Sequence, residues 1–100
     1  MVTEKDQQFL EFLIKGTAEG QIRWEPTASE NQYTTALKGK YTVTVDKAGN
    51  SCWLKMWNER LQEMMFVTSD EDYRVEQIFE YARRGALDVD SAIDEIIGGR

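Results

Sequence analysis

The sequence predicts an α+β fold with an N-terminal helix, an antiparallel meander of four to five strands and two C-terminal helices packed on one face. The 100-residue chain is 41% apolar, which is enough for one core, so we expect a single domain over residues 1–100. Alternating apolar and polar residues, broken by turn residues, dominate the central stretch 39–67. Helical periodicity lies before and after that stretch, an order typical of α+β domains with antiparallel sheets.

The first element is predicted to be a helix from Glu4 to Ala18. Thr3 and Asp6, three residues apart, resemble a capping box with aspartate in place of the usual glutamate. Apolar residues at positions 9, 10 and 13 fall on one helical face. Gly20 provides the C-terminal stop, because glycine readily adopts the left-handed conformation.

Two strands are predicted to follow. Residues 21–25 alternate in polarity, and Pro26 ends the run, which indicates a first or edge strand because proline lacks an N–H group. A polar loop over residues 27–32 leads to a second strand over residues 33–38. The next three residues, Lys38-Gly39-Lys40, form either a tight turn or a glycine bulge within one long strand.

The central hairpin predicts two distinct sheet faces. Alternation over residues 40–45 indicates a strand, and residues 46–50 a loop in which Gly49 takes a positive φ. We expect Asp46 to pair with Ser51. One face then carries Tyr41, Val43, Val45, Cys52, Leu54 and Met56. The opposite face carries Lys40, Thr42, Thr44, Trp53, Lys55 and Trp57.

The last third predicts one more strand and two helices. Residues 64–67 are apolar without alternation, so the register of that strand is not predictable, although Met64 or Met65 is expected on the tryptophan side. A capping box formed by Thr68 with Glu71, or Ser69 with Asp72, begins a helix with an apolar stripe. The stripe consists of Val75, Ile78, Phe79, Ala82 and Ala86. Asp88 or Asp90 caps a final helix, which Gly98-Gly99 ends.

The net charge of −6 is concentrated at the C-terminal end. Nine acidic and three basic residues lie in the segment 70–95, which therefore carries the whole net charge. Such a balance argues against nucleic-acid binding, which requires clustered lysine or arginine. Two interpretations remain: a solvated helical face, or an acidic surface for a basic partner that includes Asp72, Glu76 and Glu80.

Composition also excludes several chemistries. The chain has no histidine and one cysteine, Cys52, so we predict no catalytic residues, no metal site, no cofactor and no enzymatic activity. Cys52 is assigned to the core face, where a thiol acts as a small hydrophobic group. No apolar run reaches the roughly 20 residues of a membrane span, and the N-terminal residues lack a signal-peptide pattern. We expect a cytoplasmic protein.

Trp53 and Trp57 are the one feature that folding alone does not explain. They lie four residues apart on the same side of one strand, opposite the predicted core face, with Thr42, Thr44 and Lys55 beside them. If the helices cover only the core face, these residues form an exposed aromatic surface for a partner. The alternative is that a helix or the strand containing Trp24 covers them.

Several segments together resemble a class of short bacterial proteins of uncharacterised function. They are GQIRWEPT at residues 20–27, KYTV at residues 40–43, TSDED at residues 68–72 and YARR at residues 81–84. The resemblance spans most of the chain. It implies a small bacterial α+β domain, and it transfers no catalytic residue.

The first functional hypothesis is a non-enzymatic interaction domain, such as an adaptor, an inhibitor-like or an immunity-like component. It would bind a protein partner or a second copy of itself through Trp53, Trp57, Thr42, Thr44 and Lys55 on the sheet. A second hypothesis is a small-ligand-binding domain or an undetected hydrolase with a pocket between the sheet and the first helix. A third is an acidic nucleic-acid mimic that binds a basic protein.

Overall fold

The fold is α+β, as predicted. The computed structural model describes residues 2–98, in which five strands form one antiparallel meander in the order β1-β2-β3-β4-β5. The elements are α1 (Glu4–Ala18), β1 (Glu25–Pro26), β2 (Gln32–Leu37), β3 (Tyr41–Ala48), β4 (Ser51–Trp57), β5 (Glu63–Thr68), α2 (Arg74–Ala86) and α3 (Val89–Gly98). No helix within these residues combines the length and the apolar content needed to span a membrane.

Helix α1 begins and ends where its local signals predict. The Thr3 hydroxyl accepts a hydrogen bond from the Asp6 backbone N–H at 3.0 Å, and the Asp6 carboxylate accepts one from the Thr3 N–H at 3.1 Å. Gly20 follows the last turn with φ of 78°, and its N–H donates to the Thr17 carbonyl. The predicted capping box and glycine stop are both confirmed.

Strand β1 is shorter than predicted. Residues 21–24 do not pair with the sheet, because the Gly16 carbonyl at the end of α1 binds the N–H groups of Gln21 and Ile22 at 2.8 and 3.0 Å. Their alternation reflects packing instead, since Ile22 and Trp24 enter the core. Glu25 and Pro26 alone form β1, and Pro26 tolerates its place because β1 is an edge strand.

The turns on either side of β3 differ in part from the predictions. Lys38 and Gly39 both have positive φ, 57° and 69°, in a tight turn between β2 and β3, so the bulge alternative is wrong. The expected pairing of Asp46 with Ser51 is also wrong, because Asp46 pairs with Trp53. Strand β3 continues to Ala48, and Gly49 (φ 60°) opens a two-residue turn. A shift of two residues leaves the predicted faces unchanged.

The core lies between the sheet and the helical layer of α1 and α2. Inward residues of β3 and β4 are fully or almost fully buried: Val43, Val45, Cys52 and Leu54. They pack with Leu10 and Leu13 of α1 and with Val75, Ile78, Phe79 and Ala82 of α2. The predicted core face and the predicted stripe of α2 are therefore confirmed, with Tyr41 and Met56 only half-buried at its end.

Helix α2 begins later than predicted. The Thr68 and Glu71 bonds of a capping box do form, with Thr68 N–H donating to the Glu71 carboxylate at 3.1 Å and Glu71 N–H donating to the Thr68 hydroxyl. They close a turn at the end of β5, and α2 starts only at Arg74. There the Asp72 carboxylate accepts the Arg74 N–H at 2.9 Å.

Helix α3 contacts α2 and buries none of its residues. It begins directly after Asp88 and continues to Gly98, whereas Gly99 of the predicted stop lies outside the described residues. Its apolar residues Ile96 and Ile97 are 77% and 78% exposed. Within residues 2–98, no element therefore buries the apolar side of this helix.

Candidate interaction surfaces

The outer face of the sheet is the side turned away from α1 and α2. Because strand residues alternate between faces, it carries Thr42 and Thr44 of β3, Trp53, Lys55 and Trp57 of β4, and Phe66 of β5. The buried residues of α1 and α2 all join the core on the opposite side. Within residues 2–98, the outer face therefore has no helix over it.

The structure brings together all five residues predicted to bind a partner. Thr44 pairs with Lys55 and Thr42 with Trp57, while Trp53 lies two residues before Lys55 on β4. Each of the five is half-buried, because neighbouring side chains on the same face shield one another. The covering strand considered as an alternative is not present, since Trp24 points into the core and is 4% exposed.

Lys55 lies at the centre of this face. Its Nζ is 5.7 Å from the ring centroid of Trp57 and 5.4 Å from that of Phe66, both within the range of cation–π attraction. The Glu63 carboxylate is 3.9 Å away. The ammonium group is thus held among rings, with part of its surface open to a partner.

Phe66 was not predicted to belong to this surface. It pairs with Lys55 and is 48% exposed, whereas the sequence predicted Met64 or Met65 in this place. A register irregularity in the β4–β5 pairing, between Met56 and Trp57, then places Glu63 opposite Trp57, where regular pairing would place Met64. A bulge of this kind leaves no signal in a run of apolar residues.

A second apolar surface, the α1 groove, lies between the first half of α1 and one end of the sheet. It has a volume of about 660 Å³. Its lining consists of the apolar residues Phe9, Phe12, Leu37, Tyr41, Met56, Met64 and Met65 and the polar residues Lys5, Asp6, Gln8 and Lys38. Phe12 and Met64 are more than half exposed, at 56% and 53%. The groove occupies the place where the second hypothesis expected a pocket.

The three acidic residues predicted to form a surface differ in their environments. Asp72 is 9% exposed and pairs with Arg74 at 2.9 Å. Glu80 pairs with Arg83, whose guanidinium group lowers the pKa of that carboxyl. Glu76 is exposed. Two of the three charges are therefore compensated by neighbouring arginines.

The described residues offer little for catalysis or metal binding. Cys52 is 1% exposed, and burial raises the pKa of its thiol, which keeps the group protonated and unreactive. Within residues 2–98, no three cysteine, aspartate or glutamate side chains lie close enough together to hold a metal ion. The half-exposed aromatic and apolar surfaces are the features that call for a binding explanation.

Comparisons with protein-family models, with curated proteins and with solved structures found no match to the chain. The resemblance to short bacterial proteins therefore stays a prediction. Functional arguments for this domain rest on the geometry of its surfaces.

Proposed function

We propose that this domain is a protein-binding module whose outer face receives an apolar surface of a different protein, centred on a carboxylate that pairs with Lys55. The observation that carries the proposal is the set of three partly exposed rings, Trp53, Trp57 and Phe66, around one lysine on an uncovered sheet. Tryptophan and other aromatic side chains dominate the binding energy of protein interfaces.

The position of Lys55 favours a different protein over a second copy. A dimer whose two-fold axis passes through the centre of the outer face, at Lys55, would bring the Lys55 groups of both chains together. Two ammonium groups enclosed in one interface repel each other, and neither would gain a partner there. A carboxylate on the partner instead completes the environment of Lys55, whose present ion pair with Glu63 is long, at 3.9 Å.

The outer face needs little conformational change when a partner binds. Trp53 and Trp57 are anchored on the central strand β4, which pairs with β3 and β5 on its two sides. Rigid side chains on a paired strand lose little conformational freedom when a partner binds. The paired acidic residues Asp72, before α2, and Glu80, on α2, contribute less, because their charges are already compensated.

The test compares binding by single variants of the outer face. A partner identified by affinity capture from the source cell is purified, and its dissociation constant is measured by calorimetry. We expect Trp57→Thr to raise that constant by about thirtyfold, because threonine preserves the strand but removes an anchor ring. Lys55→Glu is expected to abolish binding, whereas Lys15→Glu, the same charge reversal on exposed α1, leaves it unchanged.

A reciprocal charge change identifies the partner group. Replacing the contacting carboxylate of the partner with lysine should restore binding to the Lys55→Glu variant and to no other. Unchanged affinity in Trp57→Thr and Lys55→Glu would refute the proposal. Circular dichroism checks that both variants stay folded, and unfolding of Trp57→Thr would show that the ring serves the core of the domain instead.

A further inference from the structure

We infer that α3 of a second copy of this chain occupies the α1 groove, and that two chains exchange their α3 helices to form a closed dimer. Besides the outer face, two groups of exposed apolar side chains within residues 2–98 stand next to one another along the chain or in space without a covering element. One is the apolar side of α3, and the other is the α1 groove. The apolar side of a helix and an apolar groove are complementary in shape and chemistry.

The apolar side of α3 is suited to a groove. Val89, Ile93, Ile96 and Ile97 stand at i, i+4, i+7 and i+8, which places them on one side of the helix. Ile93 is 39% exposed, and Ile96 and Ile97 are each more than three-quarters exposed. Helices that bind grooves present anchors with this spacing.

The α1 groove is suited to a helix. Its volume of about 660 Å³ falls within the range of about 300–1,000 Å³ typical of sites that enclose a ligand. Three of its lining residues are methionines, Met56, Met64 and Met65, whose flexible side chains adapt to the shape of an inserted helix. The stacked rings of Phe9 and Phe12, with centroids 6.3 Å apart, form one wall.

Charge complementarity selects α3 as the occupant. The charged residues that line the groove are Lys5, Lys38 and Asp6, and neither lysine forms an ion pair with a carboxylate of residues 2–98. Asp94 and Glu95 of α3 directly precede Ile96 and Ile97 and are exposed. Insertion of the isoleucines therefore brings two acids to a groove whose two lysines outnumber its one acid, Asp6.

The occupant comes from a second copy because of where α3 starts. Arg74, at the start of α2, binds Glu11 in the middle of α1 at 3.1 Å. Gly85, near the end of α2, and Asp88, directly before α3, share a cleft with Thr17 and Gly20 at the end of α1. The groove lies beside the first half of α1, so α3 leaves the domain at the opposite end of the helical layer. Mutual exchange between two chains closes the assembly with two identical contacts.

The first test uses substitutions at positions that are exposed in the single chain, so that folding is not in question. Sedimentation velocity over a range of concentrations measures the dissociation constant of the dimer. We expect Ile97→Asp to raise it by about tenfold for each of two contacts, or about a hundredfold in total. Ser91→Asp adds the same charge to α3 away from the apolar residues and is expected to leave it unchanged.

A mixing experiment tests the exchange itself. Phe12→Asp damages the groove and leaves α3 intact, whereas Ile97→Asp damages α3 and leaves the groove intact. Each variant alone loses both contacts of the dimer. An equimolar mixture regains one intact contact and places both substitutions in the other. A contact already broken by one substitution has little more to lose from the second, so we expect a mixed dimer whose dissociation constant is about tenfold above that of the native dimer.

Three outcomes would overturn the inference: a native chain that stays monomeric up to about 1 mM, an unchanged Ile97→Asp dimer, or a mixture without mixed dimers. Self-association lost in Trp57→Thr would also overturn it, because that result places the contact on the outer face. Partner binding through the outer face uses different residues. The failure of either proposal is therefore distinguishable from the failure of the other.

Discussion

Replacing Gly16 with alanine tests whether packing against Ile22 outweighs helix propensity in α1. A Cβ atom at this position would lie 2.5 Å from Cδ1 and 2.8 Å from Cγ1 of Ile22. Ile22 has little freedom to move away, because it is 8% exposed and its N–H binds the Gly16 carbonyl. Propensity alone would favour alanine by about 1 kcal/mol, whereas overpacking costs about 1–3 kcal/mol. We expect Gly16→Ala to lower the free energy of unfolding by up to about 2 kcal/mol.

Gly85→Ala is the matched control in α2. A Cβ atom at Gly85 meets nothing within 4 Å, so only the propensity gain of up to about 1 kcal/mol applies. The two variants are compared by urea denaturation followed through tryptophan fluorescence, with the slope m required to match that of the native chain. We expect the free energy of unfolding of Gly16→Ala to be about 1–3 kcal/mol below that of Gly85→Ala, because only the Gly16 methyl group overlaps Ile22.

A double variant tests the cause directly. Ile22→Val removes Cδ1, the atom nearest to the added methyl group, and costs about 0.5–1.5 kcal/mol in the native background. In the Gly16→Ala background it also relieves the overlap, so we expect a favourable coupling of about 0.5 kcal/mol or more. Stabilisation of Gly16→Ala equal to that of Gly85→Ala would refute the reasoning.

Three further predictions follow from single contacts. Thr17→Val should lower the free energy of unfolding by about 1–3 kcal/mol in urea titrations, because the buried Trp24 Nε1–H loses its acceptor at 2.9 Å. Burial raises the pKa of the Cys52 thiol, so labelling by a disulfide reagent at pH 8 should be slow in the native protein and fast in urea. Arg83 lowers the pKa of Glu80, so Glu80 stabilises the fold above the ordinary glutamate pKa of about 4.3. Glu80→Gln should therefore be less stable than the native chain at pH 7 and equally stable once the pH falls below the lowered pKa of Glu80.

Elements defined by neighbouring residues are predictable from this sequence. The bounds of α1 follow from Thr3, Asp6 and Gly20, since each acts within one helical turn of the end that it defines. The assignment of β3 and β4 residues to two faces is also correct, even though the register is wrong by two. Alternation determines the face of a strand residue, and only a shift by an odd number would reverse it.

Features that depend on contacts distant in sequence were not predictable. Residues 21–24 alternate as a strand does, but the N–H groups of Gln21 and Ile22 donate to the Gly16 carbonyl and not to a neighbouring strand. The turn at Thr68 has the side chains and hydrogen bonds of a capping box, yet α2 begins only at Arg74, whose N–H donates to the Asp72 carboxylate. Neither the place of Phe66 on the outer face nor the α1 groove has a sequence signal, because both depend on how β5 meets β4.

The two proposed contacts use separate regions of the surface of the domain. The outer face lies on one side of the sheet, whereas the α1 groove opens between α1 and the end of the same sheet. Residues of β4 reach both, since Trp57 points outward and Met56 lines the groove. Exchange of α3 therefore leaves the rings around Lys55 open in both chains. A dimer built in this way would present two outer faces, and a partner with two matching sites would bind it more tightly than it binds one chain.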